Sequence, residues 1–265
     1  MTEPTLRNLR TGFRAQRRIL VALMIRDMML RYGRNNLGFL WVILEPMILT
    51  VAVLLLFSVV KSAYEHGAHV ISMVFTGYMA ITMYRHTTNQ GVRMLHRSIA
   101  ILFHRNVTTI DVFLARVIME GIGTTAALVT VYGVLWATKT VEGLYDPGKL
   151  VAAWFLLWWY CSSVALIITA ITEFSETMER FVQPFQYIMV PLSGVFFLVD
   201  WLPEHARRII LFNPLTNCIE FFRDGFFGGS ITAHYDPVYP MIWALLNTWI
   251  GLWLLGVART RLHPN

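Results

Sequence analysis

The sequence has few charged residues: Asp, Glu, Lys and Arg make up 14% of its 265 residues, against about 25% in a typical soluble domain. Its hydrophobic fraction is 56%, whereas soluble domains have roughly 45–50%. A soluble core of this length could not bury so much apolar surface. The composition therefore disfavours a soluble enzyme and predicts a membrane protein.

Cysteine is almost absent, and no known catalytic pattern is present. The two cysteines are Cys161 and Cys218, and Cys161 lies inside an apolar run. This excludes a disulfide framework, and we expect two buried thiols. The eight histidines form no H-E-x-x-H motif, and the cysteines lack the spacing of a zinc site. We therefore expect no catalytic residue, no metal and no cofactor in this chain.

One segment comes close to a phosphate-binding loop. Residues Gly143 to Lys149 fit the pattern G-x-x-x-x-G-K. The next residue should be Ser or Thr to hold magnesium, but it is Leu150. Pro147 also removes a backbone N–H that would face the phosphates. We expect the chain to bind no nucleotide by itself.

Long apolar runs dominate the rest of the chain. A helix needs about 20 apolar residues to cross the hydrocarbon layer, and continuously apolar runs favour helices over barrel strands. The sequence therefore predicts an all-α integral membrane protein with six transmembrane helices. The predicted spans are 38–60, 70–90, 112–138, 150–172, 181–199 and 239–258.

Basic residues indicate how these spans are oriented. Eight arginines precede Gly38, against two acidic residues, and such clusters usually mark the cytoplasmic side and attract anionic lipids. A nucleic-acid-binding arm is the rival interpretation, which the lipid-like remainder disfavours. We predict a cytoplasmic N-terminus (1–37), a membrane domain (38–258) and a cytoplasmic tail (259–265).

Two segments differ from simple spans. Residues 13–31 read as a helix whose arginines scatter around the axis, which suits an interface helix at the membrane surface. Residues 200–238 are apolar but broken by Pro214 and several glycines. A re-entrant pair of short helices is our interpretation of 200–238, and a plain amphipathic external loop is the alternative.

Several charges fall at membrane depth, where they are costly and usually face a partner or a cavity. Arg116 and Glu120 are four residues apart, so they share a helix face and can neutralise each other. Glu45 precedes Pro46 and is either a gate residue or a hydrogen-bonding partner of a neighbouring helix. Mutual pairing and an outer gate are both open for Glu220, Arg223 and Asp224, and Pro214 is a further candidate for the outer gate.

Two motifs carry a resemblance to a known family. The segment from Arg26 to Trp41 (RDMMLRYGRNNLGFLW), followed by Glu45 and Pro46, resembles the entry signature of type-2 ABC exporter permeases. Residues 212–216 (FNPLT) are similar to a motif that precedes the family's last span. In the family's cytoplasmic loop a proline usually follows an asparagine. In this sequence Asn106 takes the place of that asparagine, but the proline is missing after it. Within the family, the chain is most similar to capsular polysaccharide exporter permeases of Gram-negative inner membranes.

The resemblance implies a homodimeric channel in the bacterial inner membrane, with both termini cytoplasmic. Two separate ATPase subunits would bind ATP and Mg²⁺. The substrate would be a lipid-linked acidic polysaccharide, passed on to a periplasmic co-polymerase or adaptor and an outer-membrane channel. O-antigen and teichoic-acid exporter permeases are the nearest alternatives. A membrane transferase on lipid-linked sugars is a further one, but the paired carboxylates that it needs do not stand out.

A polyanion needs a cationic and aromatic path, because Arg pairs with carboxylates or phosphates and aromatic faces stack on sugars. A lipid-headgroup anchor is the alternative role for each arginine. The candidate path residues are Arg26, Arg31, Tyr32, Arg34, Trp41, Glu45, Tyr84, Arg93 and Arg97.

The cytoplasmic loop 91–110 is our candidate for contact with the ATPase. Residues 94–107 can form one short helix with an apolar face that would dock into a cleft, while Arg97 and Arg105 would meet acidic residues at its rim. Packing of this face on the permease itself is the alternative. The predicted apolar face comprises Leu95, Ile99, Leu102 and Phe103.

Overall fold

The computed structural model describes residues 6–32, 38–60, 64–65, 68–102, 107–141 and 143–262. Within these ranges the chain is helical apart from turns, connecting segments and one short hairpin. The hairpin consists of two antiparallel strands of two residues each, β1 (Tyr64–Glu65) and β2 (Ala68–His69). The first six helices are α1 (Leu6–Tyr32), α2 (Gly38–Val60), α3 (Val70–Gly91), α4 (Met94–Arg97), α5 (Ile99–Leu102) and α6 (Thr109–Ala137). The others are α7 (Pro147–Phe174), α8 (Glu176–Leu192), α9 (Glu204–Leu211), α10 (Pro214–Phe227) and α11 (Val238–Leu262).

Local sequence signals explain where three of the helices begin. At α6, Thr108 and Asp111 form a reciprocal capping box, in which each side chain accepts the other's backbone N–H. At α7, the Asp146 side chain accepts from the Lys149 N–H, and Pro147 occupies the first turn. At α10, Asn213 and Pro214 play the same parts. The near-match to a phosphate-binding loop is thus the cap of α7.

Helix α7 lies at the centre of the described fold and packs against α3, α8, α10 and α11. Small residues let these helices approach closely: a Cβ on Gly251 of α11 would come within 2.8 Å of Leu166. Cys161 of α7 and Cys218 of α10 are free and fully buried in this core. The prediction of two buried thiols is confirmed.

Each of the six predicted spans corresponds to a helix. Among the described residues, four helices are long and apolar enough to cross a membrane, within α2, α6, α7 and α11. Helix α3 ends in a polar stretch, and α8 has only 17 residues. The predicted span 181–199 lies too far toward the C-terminus, because α8 runs from Glu176 to Leu192. Gly194, at φ +74°, takes the left-handed conformation that commonly ends a helix.

The region 200–238 contains short helices, as predicted, and they are broken at Asn213–Pro214. Helix α9 has eight residues and α10 has 14. Helix α10 packs against α3 and α7, and its Leu215, Cys218, Ile219 and Phe222 are fully buried. The alternative of a plain external loop therefore does not fit α10.

The loop 91–110 does not form the single helix that we predicted for 94–107. It contains two four-residue helices, α4 and α5, separated at Ser98. Tertiary contacts hold α4 in place: Glu173 of α7 accepts the backbone N–H of Leu95 at 2.9 Å, and the Ser98 hydroxyl accepts from Arg116 at 3.0 Å. These contacts fix both ends of α4, and apolar spacing alone does not reveal them.

Candidate functional site

A buried ion pair joins α1 to α6. Arg116 Nε donates to Asp27 Oδ2 at 3.0 Å, and the two side chains are 9% and 11% exposed. The second Arg116 donor reaches Ser98, so this arginine ties α1, α6 and the 91–110 loop together. A desolvated pair of this kind is strongly destabilised when one partner is removed.

A second charged cluster surrounds Glu120, whose side chain is 5% exposed. Arg31 of α1 donates to Glu120 Oε1 at 2.5 Å, and Gln90 of α3 donates to the same oxygen at 2.9 Å. His86 of α3 lies 3.4 Å from the other carboxylate oxygen. The predicted pairing of Arg116 with Glu120 is therefore wrong. Each residue instead has an opposite charge on α1, at Asp27 and Arg31, which also lie four residues apart.

The other candidate path residues that the structure describes have different environments. Arg26 is about one-third exposed and lies 3.9 Å from Asp27, whereas Arg93 lies 3.4 Å from Glu179 at the start of α8. Trp41 is exposed and Tyr84 is buried. The remaining positions are Arg97 and Glu45, both exposed, the Tyr32 side chain and Arg34, the last two outside the described residues.

The predicted ATPase-contact residues have different environments. Leu95 is 1% exposed and packs with Met94 in a core cluster shared by α1, α6, α7 and α11. Ile99 is exposed and Leu102 is half-buried. Leu95 thus packs on the permease itself, as our alternative stated. Phe103 and Arg105 lie outside the described residues.

Arg223, a predicted gate residue, is fully buried and ties α10 to the segment after α8. One terminal nitrogen donates to the carbonyls of Gly194 and Phe197, each at 2.9 Å, and to Glu220 at 3.1 Å. The other donates to the Val195 carbonyl at 2.9 Å. These carbonyls follow the end of α8 and need donors, because a buried unpaired carbonyl is costly. The sequence revealed the charge but not this role.

Asp224 belongs to a separate contact next to Arg223. Lys149 Nζ donates to Asp224 Oδ2 at 3.0 Å, and the Tyr235 hydroxyl donates to the same oxygen at 2.8 Å. Partial burial and the Asp224 carboxylate raise the pKa of Tyr235. Lys149, the lysine of the near-match to a phosphate-binding loop, is therefore already paired with the Asp224 carboxylate. Pro214, the fourth gate candidate, opens α10.

An apolar cavity of about 720 Å³ lies between α7 and α8, beside α9 and the start of α10. Its lining includes Ile168 of α7, Phe181 and Phe185 of α8, and Phe212. In the part of the chain that the structure describes, no group of three His, Cys, Asp or Glu side chains could hold a metal ion. The cavity offers apolar surface and no cluster of acid–base groups.

Four helices in the described part of the chain, within α2, α6, α7 and α11, have the length and apolar composition of membrane-spanning helices. A family model described as ABC-2 type transporter matches residues 19–227, which is most of the chain. The chain belongs to this transporter family.

Named relatives are similar over almost the whole chain. The capsule polysaccharide export inner-membrane protein CtrC of Neisseria meningitidis serogroup B is 32% identical over 250 residues, which cover 94% of each chain. The corresponding protein BexB of Haemophilus influenzae is 29% identical over 93% of this chain and 91% of its own. The polysialic acid transport protein KpsM of Escherichia coli is 23% identical over 95% and 96%. The predicted family is confirmed.

Proposed function

We propose that this chain is the membrane subunit of an ABC transporter that exports a lipid-linked acidic capsular polysaccharide across the bacterial inner membrane. The observation that carries the proposal is the similarity to capsule polysaccharide export proteins over almost the whole chain. The name of the KpsM relative specifies an acidic polymer. Separate ATPase subunits would bind ATP and Mg²⁺ and drive transport.

The proposed topology has six spans, α2, α3, α6, α7, α8 and α11, with both termini in the cytoplasm. Four of these helices have the length and composition of a span. The two others are less apolar, which suits helices that line a path instead of facing lipid. Helix α1 would lie at the cytoplasmic surface, where its Ile19, Leu20 and Leu23 pack on the loop 91–110 and on α6.

The proposed polysaccharide path uses the cationic groups at the cytoplasmic end. Arg26, Arg93 and Arg97 retain exposed surface, so they can contact a polyanion. Arg31 contacts Glu120 and Gln90, and we propose that it shapes this end of the path through them. The exposed apolar face of α2, which includes Trp41, Ile48 and Leu55, would meet the second copy of the chain in a homodimer.

The proposed ATPase contact is the exposed part of the 91–110 loop, which includes Arg97 and Ile99. The two short helices of the loop connect α3 to α6 along the chain. A shift of the loop would therefore move both α3 and α6. A periplasmic adaptor and an outer-membrane channel would receive the polymer beyond the inner membrane. These partners follow from the proposed export system.

The test is to purify the chain from its native host under conditions that preserve bound subunits and to analyse the complex by native mass spectrometry. We expect two permeases, two ATPases and a bound glycolipid with acidic sugars. The same strain should lose its surface capsule when the gene is deleted and regain it from a plasmid. Loss of O-antigen with an intact capsule would support the O-antigen exporter instead. A permease that binds no ATPase would contradict the transporter proposal.

A further inference from the structure

Helices α3 and α8 meet along four side chains, which we call the α3–α8 seam: Arg85, Asn89, Gln183 and Tyr187. In each helix the two residues are four positions apart and share one face. The Arg85 guanidinium carbon lies 4.9 Å from the centre of the Tyr187 ring. Gln183 Nε2 donates to Asn89 Oδ1 at 3.0 Å. The seam is therefore an antiparallel ladder of two matched pairs.

A buried polar layer lies behind the seam. Gln186 of α8 is fully buried, and its Nε2 donates to the Thr88 hydroxyl at 2.8 Å. Its carbonyl oxygen Oε1 is buried and accepts no hydrogen bond from any described residue. Leaving an acceptor unpaired in such surroundings is costly. The interface between α3 and α8 thus contains a buried amide oxygen that lacks a donor among the described residues.

Arg85 differs from the other arginines buried in the helical core. Arg116 contacts Asp27, and Arg223 contacts Glu220. Arg85 is half-buried, and no carboxylate among the described residues forms an ion pair with it. Its buried Nε likewise has no acceptor in the described part of the chain. A positive charge within a predicted span usually faces a partner or a cavity. The arginine of the seam is therefore available to an anion.

We propose that the α3–α8 seam binds an anionic group of the exported polysaccharide, with Arg85 pairing to a carboxylate or phosphate oxygen. This inference rests on the proposed function and names residues that contact the substrate. Guanidinium groups bind both anions through paired N–H donors. The Tyr187 side chain is 60% exposed, so it can also offer apolar surface to a sugar ring.

The neighbours of Arg85 favour a sugar polymer over a lipid headgroup. Asn89 and Gln183 offer amide groups that can donate to and accept from sugar hydroxyls. They lie with Tyr187 between two helices, whereas an arginine that only anchors a headgroup needs no such neighbours. The proposed site thus combines one cation, two amides and one aromatic ring within two facing helices.

Binding is tested with the permease–ATPase complex in nanodiscs of phosphatidylcholine, using fluorescent polygalacturonate oligomers as the acidic probe and dextran as the neutral one. We expect Arg85→Gln to weaken polygalacturonate binding about tenfold, as the loss of one charged hydrogen bond predicts. Tyr187→Leu should also weaken binding, while Tyr187→Phe should retain it. If inorganic phosphate competes with polygalacturonate for the site, the natural ligand is a phosphate. If inorganic phosphate does not compete, the ligand is a carboxylate. The matched control is Arg208→Gln, an exposed arginine of α9, which should leave binding unchanged.

Capsule export in cells gives the second measurement. Arg85→Gln should reduce export at normal permease and dimer levels, and Arg85→Lys should restore part of it. If Arg85→Gln does not insert, Tyr187→Leu against Tyr187→Phe provides the test. Unchanged binding and export in Arg85→Gln and Tyr187→Leu would overturn the inference. A binding defect of Arg85→Gln that appears only in phosphatidylglycerol vesicles would also overturn the inference. A wild-type chain that exports no capsule would instead contradict the proposed function.

Discussion

Asp27 of α1 and Arg116 of α6 form a buried ion pair, with 3.0 Å between Oδ2 and Nε. One helical turn further along both helices, Arg31 pairs with Glu120. Each helix thus carries an acid and a base four residues apart, with the signs reversed between the helices. The pairs form across the helices and fix α1 in one register on α6.

We expect Asp27→Asn to destabilise the permease by about 3–5 kcal/mol, because it leaves the Arg116 charge buried without its partner. The thermal midpoint of the purified protein in detergent measures this. A double variant that carries Asp27→Arg and Arg116→Asp should restore part of the stability that the single variants lose. If the double variant is no more stable than the single ones, Asp27 and Arg116 do not act as a pair.

We expect Arg223→Met to destabilise the chain and abolish export, since it removes the donors to three carbonyls after α8 and leaves Glu220 buried without its cation. Arg223→Lys should be intermediate, because an ammonium cannot reach all these oxygens at once. Protease sensitivity of the 193–198 segment, measured on purified protein, should rise from the unaltered chain to Arg223→Lys and further to Arg223→Met. Equal protection in all three proteins would show that the carbonyls have other donors.

We expect the isolated permease neither to bind nor to hydrolyse ATP, because Lys149 contacts Asp224 and Leu150 stands where a magnesium ligand would be needed. Equilibrium dialysis with radiolabelled ATP measures the binding. Lys149→Ala should behave like the unaltered chain in this assay. Specific ATP binding that disappears in Lys149→Ala would overturn the expectation.

We expect Ile99→Asp to weaken association with the ATPase and to reduce export, because it places a charge on an exposed apolar position of the 91–110 loop. Co-purification of the ATPase measures the association. Ile209→Asp is the matched control, since Ile209 is also exposed but lies on α9. Leu95→Asp is unsuitable for this purpose, because it would disrupt the core. Normal ATPase recovery with Ile99→Asp would direct the contact to α1.

The sequence by itself determined the helical elements and the family. Long apolar runs predicted the six longer helices α2, α3, α6, α7, α8 and α11, because a backbone in an apolar environment must satisfy its polar groups within the segment. Local chemistry also set boundaries: Thr108, Asp146 and Asn213 begin helices because their side chains accept backbone N–H groups. These effects act within a few residues, so they can be read directly from the chain.

Tertiary structure alone decided which charges meet. Arg116 and Glu120 are correctly spaced to pair within α6, but buried partners on α1 and α3 provide more hydrogen bonds and exclude water. Glu173 and Arg116 likewise hold the 91–110 loop as two short helices where apolar spacing predicted one. The seam at Arg85 depends on α8 lying against α3. Such contacts join residues far apart in sequence, and no local pattern specifies them.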